Sequence, residues 1–272
     1  MSDTAELESP VLAKLIRAHA LQMVHRANAS HIGTCLSMAD LLAVLYTDIL
    51  RVNPNDPKWL DRDRFILSKG HGAAALYAAL AEKGFFDIAE LQTYCADGSR
   101  LTGHVNHFVP GVEVSTGALG HGLPIACGMA LVGKRESKPF RVFALLSDGE
   151  MDEGSNWEAI LFAPHHHLDN LILIIDHNKI QSFGSVKEVL DLAPLPDKLR
   201  AFNWTVREID GHDHLAIRRT LQSLPAVPGQ PTAIIAHTVK GKGISFMEEQ
   251  LKWHYSSPNA EQLAEALAQI QG

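Results

Sequence analysis

The sequence predicts an α/β protein, a parallel sheet with helices on both faces. Two observations carry that prediction. Runs of strand-like apolar residues alternate with segments of helical periodicity along most of the chain, the pattern of strands joined by crossover helices. Four of the runs end in loops dense in Gly, His, Asp and Lys, namely SKGHG, SDGE, DHNK and HTVKGKG. Ligands of open parallel sheets bind beyond the carboxyl ends of the strands, so these four loops are expected on one edge.

In chain order, apolar residues at helical spacing mark a first helix over 11–26 and a second over 41–50, for which Ser37 and Asp40 form a capping box. Strands follow at 65–67, 142–146, 171–175, 205–209 and 233–236, with helices between most of them. Ser257 before Pro258 starts a last helix over 258–270, because Pro at the first helical position gives up an amide that lacks a partner anyway. Residues 96–120 and 239–257 resist regular assignment and are rich in Gly and His. Long irregular loops in compact domains tend to carry function.

Of the 272 residues, 46% are hydrophobic, enough for a sizeable core in one large or two small domains. Net charge is −7, with 24 basic residues scattered among 31 acidic ones and no Lys/Arg cluster, which argues against a nucleic-acid partner. The start, MSDTAELESP, has neither the basic nor the apolar region of a signal peptide, and no apolar run reaches membrane-spanning length. No membrane association is expected, and the predicted location is cytoplasmic. Cys35, Cys95 and Cys127 are odd in number and outside CxxC spacing, against a disulfide framework or zinc site. They are expected to be buried packing residues.

Candidate chemistry concentrates in residues 147–178. One apolar run stops at Asp148 and Gly149, and the next at Asp176 and Asn178, leaving room between them for one crossover helix. A hard divalent cation takes oxygen ligands and keeps positions open for phosphate oxygens, so an Asp carboxylate with an Asn amide oxygen suits a Mg2+ that also grips a diphosphate. The same two residues equally suit the capping of ordinary turns. The chain has 15 His residues, a high count, and most fall in loops or at strand ends, including His31, His71, His104 and His254. A neutral imidazole can give or take a proton near neutral pH, although each of these taken singly also suits an incidental polar residue.

Three weaker signals point elsewhere. Residues 128–134 fit most of a phosphate-binding P-loop, but Arg135 replaces the Ser or Thr and the segment reads as helix interior. The GKG at 241–243 lacks the third glycine of a dinucleotide fingerprint and reads as a flexible connection near the substrate mouth. His165 to His167 are adjacent, so they do not share a helix face, and Pro164 disturbs the segment; a solvated helix end is expected there rather than a metal site.

Together these features resemble a known family. SDG followed by Asn178 is similar to the GDG and spaced Asn of enzymes that use thiamine diphosphate, with Ser147 in place of the first Gly. The ordered motifs HIG, GHG, GHV and WH resemble the His-Pro-Gly, Gly-His-Ala, Gly-His-Pro and final His of the transketolase family. GVEVSTGALGHG resembles that family's GVE, two residues and TGPLGQG, with Ala118 replacing Pro and His121 replacing Gln. DGEMDEGSNWEA resembles its DGxxxEGxxxEA, and the likeness runs from about His19 to Tyr255.

The resemblance implies a thiamine diphosphate-binding fold, with 1–272 a single diphosphate-binding domain ending in the helix near 258–270. The pyrimidine-binding and third domains of full transketolases are expected on a partner chain, the two assembling as a heterotetramer with two copies of each. The implied activity is transfer of a two-carbon ketol unit from a ketose phosphate to an aldose or aldose phosphate. Implied cofactors are thiamine diphosphate and Mg2+, with Ca2+ or Mn2+ able to take the metal's place. By the same resemblance Asp148, Asn178 and the backbone carbonyl of Ile180 hold the metal, and Gly149, His71 and His254 touch the diphosphate. Gly117, Ala118 and Leu119 lie at the thiazolium, and Glu153 links the two cofactor sites of a dimer. His31, His71, His104 and His254 serve donor hydroxyls and proton transfer. Competing readings are a deoxyxylulose-phosphate synthase-like or 2-oxo acid dehydrogenase α-like chain, against which the extra histidines weigh, and a non-catalytic cofactor-binding regulatory module.

Overall fold

The structure, a computed structural model, describes residues 8–272. Residues 1–7, part of the polar start read above for signal-peptide character, lie outside them. The five expected strands form one sheet: β1 (Arg64–Leu67), β2 (Val142–Ser147), β3 (Leu171–His177), β6 (Thr205–Asp210) and β7 (Thr232–His237). Their order is β1-β2-β3-β7-β6 and every pairing is parallel. Two further short strands, β4 (Ile180–Gln181) and β5 (Gly184–Ser185), make a separate antiparallel hairpin just beyond β3.

Successive strand side chains point to opposite faces, so the central strands feed two cores. Phe143, Leu145, Ile172, Ile174 and Ile234 pack on one side with α1 (Ser9–Ala27), α2 (Ile32–Ser37), α3 (Ala39–Val44), α4 (Ala73–Glu82), α9 (His214–Gln222) and α10 (Ala260–Gln271). Val142, Ala144, Leu146, Leu173 and Ile175 pack on the other with α5 (Gly122–Arg135), α6 (Gly154–His165), α7 (Val186–Val189) and α8 (Leu195–Ala201). Each fully buried Leu or Ile contributes roughly 1.5–3 kcal/mol, so strands that are apolar on both faces belong at the centre of such a sandwich.

Several local expectations are corrected. The helix expected over 41–50 is present as α3 continued by a π-type turn over Leu45–Ile49, and α2 before it was not expected. Ser37 and Asp40 form no capping box. Ser37 Oγ bonds the Thr34 carbonyl (3.0 Å) and Asp176 Oδ2 (2.6 Å), while Asp40 binds Arg17 (2.6 Å), so tertiary partners outcompete the local cap. The last helix starts at Ala260 rather than at Pro258. Asn259 Oδ1 accepts from the Gln262 amide (2.8 Å) and Gln262 Oε1 from the Asn259 amide (3.0 Å), a reciprocal capping box. Ser257 Oγ instead donates to the Val24 carbonyl (3.0 Å).

Cys35 and Cys127 are buried as expected, but Cys95 is exposed. Its amide closes a turn on the Leu101 carbonyl (2.8 Å) with the residue at φ 57°, a position that serves the loop rather than a core. Residues 128–134 lie inside α5, and among the described residues no helix is long and apolar enough to cross a membrane. Residues 94–121 and 238–250 carry no helix or strand. The first matches the segment expected over 96–120; the second is shorter than the expected 239–257, because Leu251–His254 turns into a short 3-10 helix that carries His254.

Candidate functional site

The carboxyl ends of β1, β2 and β3 open into a cavity of about 210 Å³. Ser147 ends β2 and Asp176 sits beside it in the β2–β3 register, so Asp148 and Asn178 leave the sheet on neighbouring strands. Ser147 needs no positive φ there, and its Oγ accepts from the Glu150 amide (3.2 Å). Gly149 has no room for a side chain: a Cβ would lie 2.7 Å from that of Gln181. Asp148 is held by the amides of Gly149 (2.8 Å) and Lys179 (2.5 Å). Burial and the nearby Asp176 still push its carboxyl up to about 6.

The four histidines converge on the same cavity. The ring centre of His31 is 5.1 Å from that of His71, 5.9 Å from His104 and 5.0 Å from His254, and His71 is 5.7 Å from His254. They come from four widely separated segments of the chain, so the fold alone brings them together. His31 adopts a left-handed backbone (φ 74°), uncommon for a residue with a side chain and typical of constrained functional positions. Its amide donates to the His254 carbonyl (3.0 Å). Burial, with His104 and Lys240 nearby, brings His31 down to about 4, and burial beside Lys240 brings His254 down to about 3. Burial and the neighbouring Lys69 hold His71 far below the usual imidazole range. These three rings are neutral at pH 7, able to accept a proton or to donate one N–H.

Ten of the expected residues line the cavity: His31, His71, His104, Gly117, Leu119, Asp148, Gly149, Asn178, Ile180 and His254. Ala118 and Glu153 do not. Both are exposed, Glu153 at the start of α6 beside Gly120. His121 is also outside the lining, its Nδ1 paired with the Leu119 carbonyl (3.0 Å). His165 and His167 are exposed at the opposite end of β3.

Cationic groups were missed in the sequence. Lys69 is fully buried and paired with Asp176, which also accepts from Ser37 and Thr238. Burial alone would raise the Asp176 carboxyl, but the Lys69 ammonium and these hydroxyls hold it below the usual range. Lys240 Nζ donates to the Ile180 carbonyl (2.8 Å) and to His254 Nδ1 (3.1 Å), and burial close to Lys69 lowers it to about 8. SKGHG and HTVKGKG each display the lysine one or two residues from a singled-out glycine or histidine, so adjacency was the available signal.

A divalent cation with a diphosphate fits this donor set. Among the described residues no three His, Cys, Asp or Glu side chains are grouped as a metal site, so an ion here would draw on Asp148, the Asn178 amide oxygen and the Ile180 carbonyl. The ammonium already seated on the Ile180 carbonyl marks that oxygen as a cation acceptor with a second lone pair free.

Residues 9–271 match the family model for the transketolase thiamine diphosphate-binding domain. The chain belongs to the transketolase family. It is 42% identical over 268 residues to one of the apulose-4-phosphate transketolase subunits of Phocaeicola vulgatus, covering 98% of this chain and 94% of that protein. The 6-deoxy-6-sulfo-D-fructose transketolase subunit SqwG of a Clostridium species is 40% identical, covering 95% and 94%. Among solved structures, transketolase from Leishmania mexicana superposes with a TM-score of 0.92 at 33% identity, over 97% of this chain. The transketolase from Campylobacter jejuni gives 0.90 at 32% identity. This transketolase domain spans 41% of the Leishmania chain and 43% of the Campylobacter one. Its fold is that of the family's N-terminal, cofactor-binding domain, and its class is the transketolase-type transferases.

Proposed function

We propose that this chain is the diphosphate-binding subunit of a two-subunit transketolase that moves a two-carbon ketol unit between sugar phosphates. The observation that carries the reading is the convergence of four imidazoles, an Asp–Asn pair and a buried lysine on one cavity in a transketolase-family domain. Relatives of similar length are named as transketolase subunits, which supports a separate partner chain carrying the pyrimidine-binding part. The mostly exposed Phe183, next to cavity residue Ser182, gives that partner an apolar rim to cover.

Thiamine diphosphate, when bound, supplies the carbanion-stabilising chemistry on which ketol transfer depends. Asp148, Asn178 and the Ile180 carbonyl would hold Mg2+ against the diphosphate, with Gly149 allowing close approach of the backbone. Lys240, His71 and His254 would face the diphosphate oxygens. Gly117 and Leu119 would support the thiazolium, the former packed so that a Cβ would lie 3.2 Å from the His104 ring. His31, His104 and His254 would orient donor hydroxyls and carry protons to and from the sugar. Glu153, outside the cavity, would reach toward the second half of a dimer.

Calorimetric titration of the chain with its partner subunit tests the reading. Mg2+-dependent binding of thiamine diphosphate is expected, together with turnover of a ketose phosphate and an aldose phosphate. No binding, or turnover of pyruvate in place of ketose phosphates, would overturn it.

A further inference from the structure

His212 lies on the turn between β6 and α9 and does not line the cavity, yet it reaches the chain next to Lys240. Its Nε2 accepts from the Val239 amide (2.9 Å), so that nitrogen carries no proton. The proton is therefore on Nδ1, which donates to Asp40 Oδ2 (2.7 Å). Asp40 on α3 is itself fixed by Arg17 from α1 (2.6 and 3.0 Å) and by His214 (3.0 Å). Burial would raise the Asp40 carboxyl, but hydrogen bonds from His212, His214 and Arg17 hold it far below the usual range, so a fixed carboxylate sets the tautomer and the ring's orientation.

The stretch that His212 touches is anchored residue by residue. Thr238 Oγ1 donates to Asp176, the Val239 amide to His212, Lys240 Nζ to Ile180 and His254, and the Gly241 amide to the Gly33 carbonyl (2.9 Å). The GKG turn is thus a tethered segment rather than a loose connection. Without an acceptor, the Val239 amide would be left as an unpaired donor and would draw the backbone away, carrying Lys240 off the Ile180 carbonyl and His254.

We propose that His212, oriented by Asp40, is a positioning residue that sets Lys240 and His254 for the cofactor diphosphate through the Val239 amide. The inference rests on the thiamine diphosphate reading given above.

Two substitutions separate this role from a merely structural one. His212→Asn leaves an amide near the Nδ1 position to donate to Asp40 but no acceptor for Val239, whereas His212→Gln places an oxygen near the Nε2 position and gives up the Asp40 bond. In the chain assembled with its partner subunit, His212→Asn should weaken Mg2+-dependent thiamine diphosphate binding by about tenfold or more, the cost of one unpaired buried donor. His212→Gln should stay within about threefold of wild type. Hydrogen–deuterium exchange of the free full-length chain gives a readout independent of the cofactor: protection of the Val239 amide should be lost with Asn and kept with Gln. Equal affinities for both variants, a larger loss with Gln, or unchanged Val239 protection in the Asn variant would overturn the proposal. If His212→Asn does not fold, His212→Gln decides alone, with retained affinity and protection supporting the role and a tenfold loss refuting it. Failure of the wild-type complex to bind thiamine diphosphate would instead refute the functional reading, and the exchange comparison would still decide whether His212 holds Val239.

Discussion

Replacing Asp148 with Asn separates a metal ligand from a turn cap because the two roles predict opposite results. In the metal-free chain the carboxyl is lifted to about 6, so at pH 7 it is charged at a cost. About two units above an ordinary Asp corresponds to roughly 3 kcal/mol. The sign follows from the raised value: this group's contribution to stability is best at low pH and is lost as pH rises through about 6. Asn removes the charge but turns one oxygen into an amide facing an N–H, so one of the bonds from Gly149 and Lys179 is lost, about 1–3 kcal/mol. The metal-free variant should therefore melt at or slightly above wild type. Mg2+-dependent binding of thiamine diphosphate should fall by at least about 100-fold, or about 2.7 kcal/mol, when the charged ligand is removed. Thermal scans in chelator, paired with calorimetry of the assembled complex, give both numbers. A variant that melts well below wild type while binding cofactor with unchanged affinity would show that Asp148 caps a turn and nothing more.

Other outcomes follow from the same geometry. Lys69→Met strands the buried Asp176 carboxylate and should cost about 3–5 kcal/mol, read as a lower melting temperature, whereas pairing it with Asp176→Leu should recover much of the loss; no difference between single and double variants would deny the pair its role. Because burial lowers Lys240 to about 8, its charge is lost above that pH, so thiamine diphosphate affinity should fall as pH is raised from neutrality through about 8. A flat profile over that range would remove Lys240 from the diphosphate contacts. His31, lowered to about 4, should stay neutral in an NMR titration down to about pH 5, and since the unfolded ring protonates near 6.5, stability should decline as pH falls from 6.5 toward 4. A His31 midpoint near 6.5 would contradict the burial argument.

Sheet elements were the most legible part of the sequence: β1, β2, β3 and β7 are apolar on both faces and need no distant partner to be recognised, only the edge strand β6 carries exposed charges, and all five appear within two residues of their expected bounds. Helix starts were legible only where local chemistry decides them. Ser37 has the look of a cap but is recruited by Asp176 across the fold, while the Asn259 and Gln262 pair is a better local cap than Ser257. In the site, the ordered histidines and the Asp148–Asn178 pair were visible because each stands in a short motif. The lysines were not, since a buried ammonium has no signature of its own; Lys69 and Lys240 become meaningful only beside Asp176, Ile180 and His254, which the chain reaches by folding. Cys95 departs from expectation for the converse reason. A cysteine usually packs in a core, and here the backbone of an irregular loop dictated its place.

Asp148 and Asn178 project from adjacent strands whose ladder pairs Ser147 with Asp176, so their separation in space is fixed by hydrogen bonds between β2 and β3 and is indifferent to the length of chain that joins them. The thirty-residue interval measures the return path through α6, and its slack lies at the turn that exposes His167, just before the buried Leu168, at the far end of β3 from the cavity. That turn is accordingly a place where peptide tags, fluorescent reporters or extra loops could be spliced into the chain while the clamp keeps its dimensions.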